Sequence, residues 1–435
     1  MSAMPFRIDL LLRRLREQLW VRPALWSLAA VAVALLAALA DSVLPARLAP
    51  RIEQETVASL LRIIASSMLA VSTFSLSILV GAFASVSGNA TPRATRLIVA
   101  DDTAQNALGV FIAAFIYSVV ALTALESGYY GQVGRLVLFV GTLAMLGYIV
   151  ITFLRWIQVL SVMGRMGNTI ERVERAASEA LEAWMRAPCL GGVALAEDAP
   201  ADGEEVVAGA TGYLQHIDMA ALQAAAEACS GRVQVLLRPG ALVHPGRAVA
   251  RLRPGGPLPQ ERREELLRQV ADAFVVGNER SYAQDPRFGL VVLSEIAQRA
   301  LSPGINDPGT AIVVLASLAR LLIATGAPRE ASEDADEAPR HPRVAVAPLD
   351  EADLVRDALD LIARDGAGQV EIAVRVQKTL AAVAAGAAPP LAAAVRAESA
   401  RALERARRSD ALLEDELALL ADLAHEARTV PRAVR

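Results

Sequence analysis

Four long apolar stretches near the start of the sequence constrain the fold of this chain more than any other feature. A helix needs about 20 mostly apolar residues to cross the hydrocarbon core of a bilayer. Stretches of this length, separated by short loops, occur at 24–44, 60–87, 107–126 and 134–157. The hydrophobic share of the whole chain is 54%, above the roughly 45–50% of typical soluble proteins, and the excess lies in this region. We therefore predict four membrane-spanning helices in contact with lipid.

The arginines around these stretches predict the orientation of the chain. Loops on the cytoplasmic side of a membrane protein carry an excess of Lys and Arg. Arginines are frequent before the first span and after the last one, whereas only Arg135 lies between the third and the fourth. We therefore expect both termini in the cytoplasm. One alternative concerns residues 38–41, ALAD, which also resemble a signal-peptidase site after a basic start. Cleavage there would leave the orientation of the other three spans unchanged.

Beyond residue 160 the sequence becomes charged and rich in Ala and Arg, which predicts a soluble part. The fold class that follows is mostly α, with a four-helix transmembrane domain followed by a cytoplasmic α+β domain with a small β module and a C-terminal helical region. Val233, Val235 and Leu237 alternate with other residues and indicate a strand of that module. In chain order we predict a cytoplasmic amphipathic N-terminus (1–22), the transmembrane domain (23–160), a helical stalk (161–187), the α+β domain (188–327), an acidic linker (328–343) and the C-terminal helical region (344–435).

The second span carries many hydroxyl groups for a membrane helix. Spacings of 7, 4 and 3 place seven small residues on one face of a helix, namely Ser59, Ser66, Thr73, Ser77, Gly81, Ser85 and Gly88. Small residues let membrane helices approach closely, and their hydroxyls bond across the contact. A row of hydroxyls also suits the lining of a water-filled path. Both explanations stay open, and we call these seven residues the small-residue stripe.

The segment LSPGINDPGT, residues 301–310, joins two apolar helices. Asp285 and Asp307 are each followed by proline, which predicts two helix N-caps. Gly304 suits a left-handed residue at the end of the first helix. A sharp corner explains most of the segment. Helix N-termini also bind anions, so the alternative is a site for a small anionic ligand or a subunit contact, formed by Arg280, Asp285, Arg299, Asn306 and Asp307.

Signals for catalysis, metals and nucleic acid are weak. The four histidines lack metal-ligand spacing, Cys189 and Cys229 form no CxxC, and no GxSxG, P-loop or HExxH motif occurs. His216 and Asp218 are the best acid–base pair available, and Asp218 is explained more simply as a helix N-cap. The net charge of −4 gives no argument for nucleic acid. We predict no catalytic residues, no metal and no cofactor.

Several segments together resemble a known family. They are FSLSILVGAF, TPRATRLI, LGVFIAAFIYSVVAL, GYLQHID and the long stretch around RALSPGINDP. With them the sequence resembles bacterial predicted membrane proteins of domain of unknown function, family 2254, from about residue 8 to about 425. It departs at FASVSGNATPR, where such proteins more often have a Gln-rich stretch before Ser-Pro-Arg. The resemblance implies a multi-pass protein of the bacterial inner membrane with a cytoplasmic domain, and it implies no particular activity.

Two hypotheses for the function follow. No Asp, Glu, Lys or His lies in the middle of a span, and such residues are the usual mark of proton relays and pumps. This disfavours a proton-coupled transporter and leaves a homo-oligomeric channel or passive transporter for small solutes or ions, with a cytoplasmic regulatory domain. The alternative is a membrane-anchored sensor or scaffold whose cytoplasmic domain binds a small anion or a protein partner.

Overall fold

The computed structural model of the chain describes residues 20–40, 50, 52–99, 102–162, 165–326 and 338–429. Their contacts divide them into two compact units. The N-terminal unit contains the described residues up to 168 except 89–91, and the C-terminal unit contains the others. Parts of several predicted segments lie outside the described residues. They are 1–19 of the N-terminus, 41–44 of the first span, 163–164 of the stalk, 327 of the α+β domain, 328–337 of the linker and 430–435 of the C-terminal helical region.

The described residues of the N-terminal unit confirm four apolar helices. Its helices are α1 (Val21–Leu36), α2 (Gln54–Asn89), α3 (Pro92–Val99), α4 (Asp102–Glu126) and α5 (Gln132–Val162). Helices α2, α4 and α5 contain apolar stretches long enough to cross a membrane, and α1 is a shorter apolar helix. Helix α3 is short and begins at Pro92, where proline fits the first turn of a helix.

Helix α4 is the central helix of the N-terminal unit. In the apolar stretch of α4, 56% is buried, against 22% in the apolar stretches of α2 and α5. Small residues bring α1 and α4 together, with Ala34 and Ala113 in one buried cluster. A Cβ added at Gly109 would lie 3.2 Å from Cδ1 of Trp26 and 3.4 Å from the backbone nitrogen of Pro23. Close packing therefore explains the small residues of the third predicted span.

Several buried hydroxyls in this unit bond to partners inside it, whereas those of Ser75 and Ser118 have no partner among the described residues. The hydroxyls of Tyr117 and Thr142 lie 3.3 Å apart, and Thr142 also donates to the carbonyl of Leu138 at 2.7 Å. Tyr130 donates to the carbonyl of Ala34 at 2.8 Å. Because hydrocarbon offers no hydrogen-bond partners, such internal bonds are what a membrane helix needs.

The C-terminal unit combines two small sheets with helices. Its strands are β1 (Gly192–Ala194), β2 (Glu204–Val207), β3 (Gly212–Ile217), β4 (Arg232–Val235), β5 (Leu242–Val243), β6 (Ala248–Arg253), β7 (Phe274–Gly277) and β8 (His341–Val346). The earlier helices are α6 (Met166–Arg186), α7 (Met219–Ala228), α8 (Gln260–Asp272), α9 (Phe288–Leu301) and α10 (Pro308–Gly326). The later ones are α11 (Glu351–Val355), a π-helical turn (Arg356–Asp360), α12 (Leu361–Asp365), α13 (Val370–Gly386), α14 (Pro389–Arg408) and α15 (Glu414–Thr429).

The sheets hold distant segments side by side. One sheet has the order β1-β8-β4-β6-β2, with β8 parallel to β1 and β4, and the other has the order β5-β3-β7 with antiparallel pairs. Val233 and Val235 of β4 are fully buried while Arg232 is exposed, which confirms the predicted strand periodicity. Strand β4 ends before Leu237. Strand β8 begins inside the segment predicted as an acidic linker, and it inserts beside β4.

Helix α10 shows how hydropathy alone would mislead. It is long enough and apolar enough to cross a membrane. Its buried face includes Ala311, Val314, Leu318 and Leu322, each 0% exposed, within the C-terminal unit. The helix packs against α9 and α13. It is therefore a core helix of this unit, because a buried helix and a membrane helix share the same composition.

Candidate functional site

The small-residue stripe lies on the side of α2 that faces away from the core of the N-terminal unit. Six of its seven residues are exposed, and Ser85 is half-buried. The buried side of α2 carries Leu61, Ile64, Met68 and Leu79. At 3.6 residues per turn, Thr73 and Ser77 lie nearly opposite these residues. Packing within the described part of this unit therefore does not account for the stripe, and its role as pore lining or as a contact with another copy stays a prediction.

Hydroxyls of the stripe donate to the backbone of their own helix. Ser66 donates to the carbonyl of Ile63 at 3.1 Å, Thr73 to that of Leu69 at 2.9 Å, and Ser77 to that of Thr73 at 3.0 Å. These bonds satisfy the hydroxyl hydrogens, whereas the oxygen lone pairs can still accept hydrogen bonds. The stripe thus presents acceptors and little bulk to whatever lies beside it.

The corner between α9 and α10 confirms one predicted cap. The Oδ1 atom of Asp307 accepts a hydrogen bond from the backbone nitrogen of Thr310 at 3.0 Å, and Oδ2 accepts one from the Thr310 hydroxyl at 2.6 Å. The Thr310 hydroxyl is the main cause that lowers the pKa of Asp307. Helix α10 begins at Pro308, as the sequence predicts. Asp307 therefore acts first as the N-cap of α10.

The prediction that Gly304 adopts the left-handed conformation at this corner was wrong. Asn306, with φ of 50°, adopts the left-handed conformation, and Gly304 does not. The backbone nitrogens of Ile305 and Asn306 both donate to the carbonyl of Ser302, at 3.0 and 2.8 Å. The chain therefore turns two residues later than the glycine suggests. Asn tolerates this conformation better than most residues, so backbone geometry explains Asn306 without a ligand.

We expect Asp307→Ala to lower the free energy of unfolding by about 1 kcal/mol through loss of the cap. Because the pKa of Asp307 is lowered from its usual 3.8, its contribution is present above pH 3.8 and disappears as the pH falls through the lower folded-state pKa. The loss of unfolding free energy caused by Asp307→Ala should therefore be smaller at acid pH than at neutral pH. Urea unfolding of the full-length chain in detergent at neutral and acid pH measures both effects. Asp422→Ala, at an exposed position of α15, is the control, and an equal loss in the two variants would contradict the prediction.

Asp285 is the centre of a buried ion pair, a role that its prediction as an N-cap did not include. Helix α9 begins only at Phe288. Asp285 is 1% exposed, and it accepts two hydrogen bonds from Arg280, Nε to Oδ2 at 2.7 Å and Nη2 to Oδ1 at 3.0 Å. The backbone nitrogen of Arg287 also donates to Oδ1, at 3.1 Å. Burial raises the pKa of Asp285, and the contacts with Arg280 and Arg287 oppose this rise.

The side chain of Arg287 extends this cluster to a third segment. It bonds to Asp353 at 2.5 Å and to both oxygens of Asp357, at 2.6 and 3.1 Å. Asp353 lies in α11, and Asp357 lies in the π-helical turn. Turns of this kind are frequent at functional sites. The segment before α9 is therefore tied by charge-assisted hydrogen bonds to the start of the C-terminal helices.

The five residues predicted to form one anion site are not together. Arg280 and Asp285 precede α9, whereas Arg299, Asn306 and Asp307 lie at or beyond its other end. With 14 residues, α9 separates the two groups by about 20 Å at 1.5 Å per residue. The prediction of two adjacent helix N-termini was therefore wrong, because the intervening apolar segment forms one straight helix.

Arg238 interacts electrostatically with Asp285 of the Arg280–Asp285 pair. No role for Arg238 was predicted from the sequence. Its Nη1 atom donates to the carbonyls of Pro188, at 2.9 Å, and Ala347, at 3.0 Å. The neighbouring Gly240 has φ of 95°, and a Cβ there would lie 2.8 Å from Cγ of Asp285 and 3.0 Å from Nη2 of Arg280. Pro239 and Gly240 signal a turn. Nothing in the sequence indicates that this turn closes over residues 45 positions later.

Other chemistry is sparse in the described part of the chain. No group of three or more His, Cys, Asp or Glu residues is arranged there to hold a metal ion. Cys189 and Cys229 are free thiols, half-buried and buried respectively. Asp218 caps α7 by accepting a hydrogen bond from the backbone nitrogen of Ala221 at 2.9 Å, which confirms that prediction. The cluster of Arg238, Arg280, Asp285 and Arg287 is thus an organised polar site of the C-terminal unit.

Comparisons with known proteins place the chain in a family. An uncharacterized protein of Mycobacterium bovis and two of Mycobacterium tuberculosis are each 37% identical to it over 124 residues. The match covers 27% of this chain and 22% of each relative, so the chain spans only part of their length. No solved structure matches the chain. The model of the family described as predicted membrane protein (DUF2254) matches residues 16–382. The chain therefore belongs to this family of predicted membrane proteins.

Proposed function

We propose that this protein is a homo-oligomeric channel or passive transporter for small solutes or ions, with no catalytic activity. It resides in the bacterial inner membrane with both termini in the cytoplasm, and its C-terminal unit regulates the path. The observation that carries the proposal is the outward position of the small-residue stripe. Four apolar helices are few for a complete path, so several copies arranged around their α2 helices would form it.

The chemistry of the stripe supports this assignment over simple contact with lipid. Lipid tails gain nothing from hydroxyl groups, since the oxygen lone pairs of Ser66, Thr73 and Ser77 find no donors in hydrocarbon. Water in a path supplies such donors. Leu69 and Leu76, 52% and 47% exposed, lie on α2 between the stripe and the buried side and give the helix the apolar surface that lipid requires. One helix thus combines a hydroxyl face with an apolar flank.

Charges on the spans support a passive path. Arg62 of α2 lies within 3.1 Å of Glu55 and 2.8 Å of Glu126. Glu55 and Arg62 lie in the N-terminal part of α2, and Glu126 is the last residue of α4. Side chains near the ends of membrane helices reach the interface. A proton relay needs ionisable groups along the interior of the spans. Arg62 instead forms ion pairs with two carboxylates, which balance its charge near the helix ends.

Conductance of the full-length chain in planar bilayers tests the proposal. We expect discrete currents from the wild type. The double variant Thr73→Leu, Ser77→Leu should reduce them several-fold, because two larger apolar side chains narrow and dry the path. Leu76→Phe, at an exposed apolar position on a different side of α2 from Ser77, is the matched control and should conduct like the wild type. Silence from folded, oligomeric protein would reject the channel, and equal currents in the double variant would remove the stripe from the path.

A second candidate is a membrane-anchored sensor or scaffold. The observation that favours it is the organised cluster around Asp285, which the channel hypothesis does not require. In this case the C-terminal unit binds a small anion or a protein partner, and the spans serve as the anchor. Ligand-dependent melting of a protein that passes no current would support this candidate over the first.

A further inference from the structure

Arg238 is held in one orientation with one edge of its guanidinium unused. Its Nη1 atom is fixed by the carbonyls of Pro188 and Ala347. Its Nε and Nη2 atoms are buried, and neither makes a hydrogen bond to the described residues. These two nitrogens form the edge that binds two coplanar oxygens in arginine–carboxylate and arginine–phosphate pairs. Buried donors of a charged group are costly without an acceptor.

The carboxylate of Asp285, which interacts electrostatically with Arg238, does not bond to this edge. Both oxygens of Asp285 already accept hydrogen bonds from Arg280, and Oδ1 accepts a further one from the backbone of Arg287. The side chain of Arg287 pairs with Asp353 and Asp357, and Asp353 also pairs with Arg356. Among these described residues, four guanidinium groups, those of Arg238, Arg280, Arg287 and Arg356, therefore face three carboxylates. One positive charge has no counter-charge in this cluster.

We infer that the Nε–Nη2 edge of Arg238 is a binding site for one small anion with two coplanar acceptor oxygens, a carboxylate or phosphate group. The donors fit this geometry, and the excess positive charge fits a single negative group. The site lies in the C-terminal unit and does not depend on the proposed conduction. It also differs from the site predicted at the corner, because it uses neither Asn306 nor Asp307.

The turn between α6 and β1 contacts Arg238, and because Nε and Nη2 are buried, a neighbouring segment must move for an anion to enter. We expect this turn to be that segment. Leu190 has φ of 55° and Gly191 has φ of 81°, so two successive residues adopt the left-handed conformation, which is uncommon for leucine. The carbonyl of Pro188 in this turn is one of the two acceptors that hold Arg238. Cys189 lies in the same turn and is half-buried. Its thiol therefore reports whether the turn is open.

Thermal unfolding of the full-length chain in detergent tests the site. We expect inorganic phosphate or acetate to raise Tm by on the order of 3 °C at about tenfold the dissociation constant, relative to chloride at equal ionic strength. Arg238→Lys should abolish the shift, because Lys cannot present two parallel donors. Arg343→Lys is the matched control, since Arg343 also donates to a backbone carbonyl, that of Gly231 at 3.1 Å, and it should keep the shift. An equal shift in both variants would overturn the site.

A second measurement uses the wild type and does not depend on the folding of a variant. Cys229 is buried, so a maleimide should label Cys189 first. Binding of phosphate beneath the turn should slow this labelling several-fold relative to chloride, as measured by mass spectrometry of the intact protein. If neither Tm nor the labelling rate responds to phosphate or acetate, a water molecule satisfies Arg238 and the inference fails.

Discussion

Replacement of Asp285 by Ala is expected to lower the free energy of unfolding of the C-terminal unit by about 3–5 kcal/mol, the cost of breaking a buried ion pair from one side. Asp285 is 1% exposed and accepts hydrogen bonds from Arg280 and from the backbone of Arg287. Burial raises the pKa of Asp285, so desolvation offsets much of the attraction within the pair. The loss comes instead from leaving the buried donors of Arg280 and Arg287 without an acceptor.

Denaturant unfolding of the full-length chain in detergent measures this loss. Asp365→Ala is the matched control, because Asp365 bonds to Arg364 at 2.7 Å in a more exposed pair, and such pairs contribute less than about 1 kcal/mol. Asp285→Asn should fall between the two, since its amide oxygen keeps one acceptor. A loss at Asp285→Ala no larger than at Asp365→Ala would show that the cluster does not hold the unit together.

The sequence was informative wherever structure depends on neighbouring residues. Apolar runs predicted the N-terminal helices, alternation predicted β4, and Asp before Pro predicted the cap of α10, because each signal spans a few residues. At Asp285 the same rule described only part of the structure. Oδ1 accepts a hydrogen bond from the backbone nitrogen of Arg287, as in a cap, but α9 begins at Phe288 and both oxygens also bond to Arg280. A local capping rule cannot foresee this second partner.

The site itself depends on pairs that are distant in sequence. Arg238 lies 47 positions before Asp285, and Arg287 reaches Asp357 across 70 positions. A single sequence contains no signal for such pairs, because any of its many arginines suits any exposed carboxylate. The sheet order, which inserts β8 beside β4, brings Ala347 to Arg238. Topology therefore creates the site from residues that look like ordinary surface charges.

The crossing of α6 and α9 gives the second large effect. Gly289→Ala is expected to lower the free energy of unfolding by about 3 kcal/mol, the upper end of the usual cost of overpacking. A Cβ added at Gly289 would lie 2.8 Å from Cα of Ala177, and closer still to its Cβ. Both atoms are fixed to helix backbones, so the helices must separate. The gain of about 1 kcal/mol in helix propensity from Gly to Ala offsets only part of this cost.

Exchange of the two residues separates this steric cost from any other effect of the substitution. In the double variant Ala177→Gly, Gly289→Ala the methyl group moves from one helix to the other, so the contact regains its original volume. We expect it to recover most of the lost stability in denaturant unfolding of the full-length chain. Gly386→Ala, at a position with open space around the added Cβ, is the control and should change stability little. If the double variant is as unstable as Gly289→Ala alone, the close approach of α6 and α9 is not what requires glycine at this position.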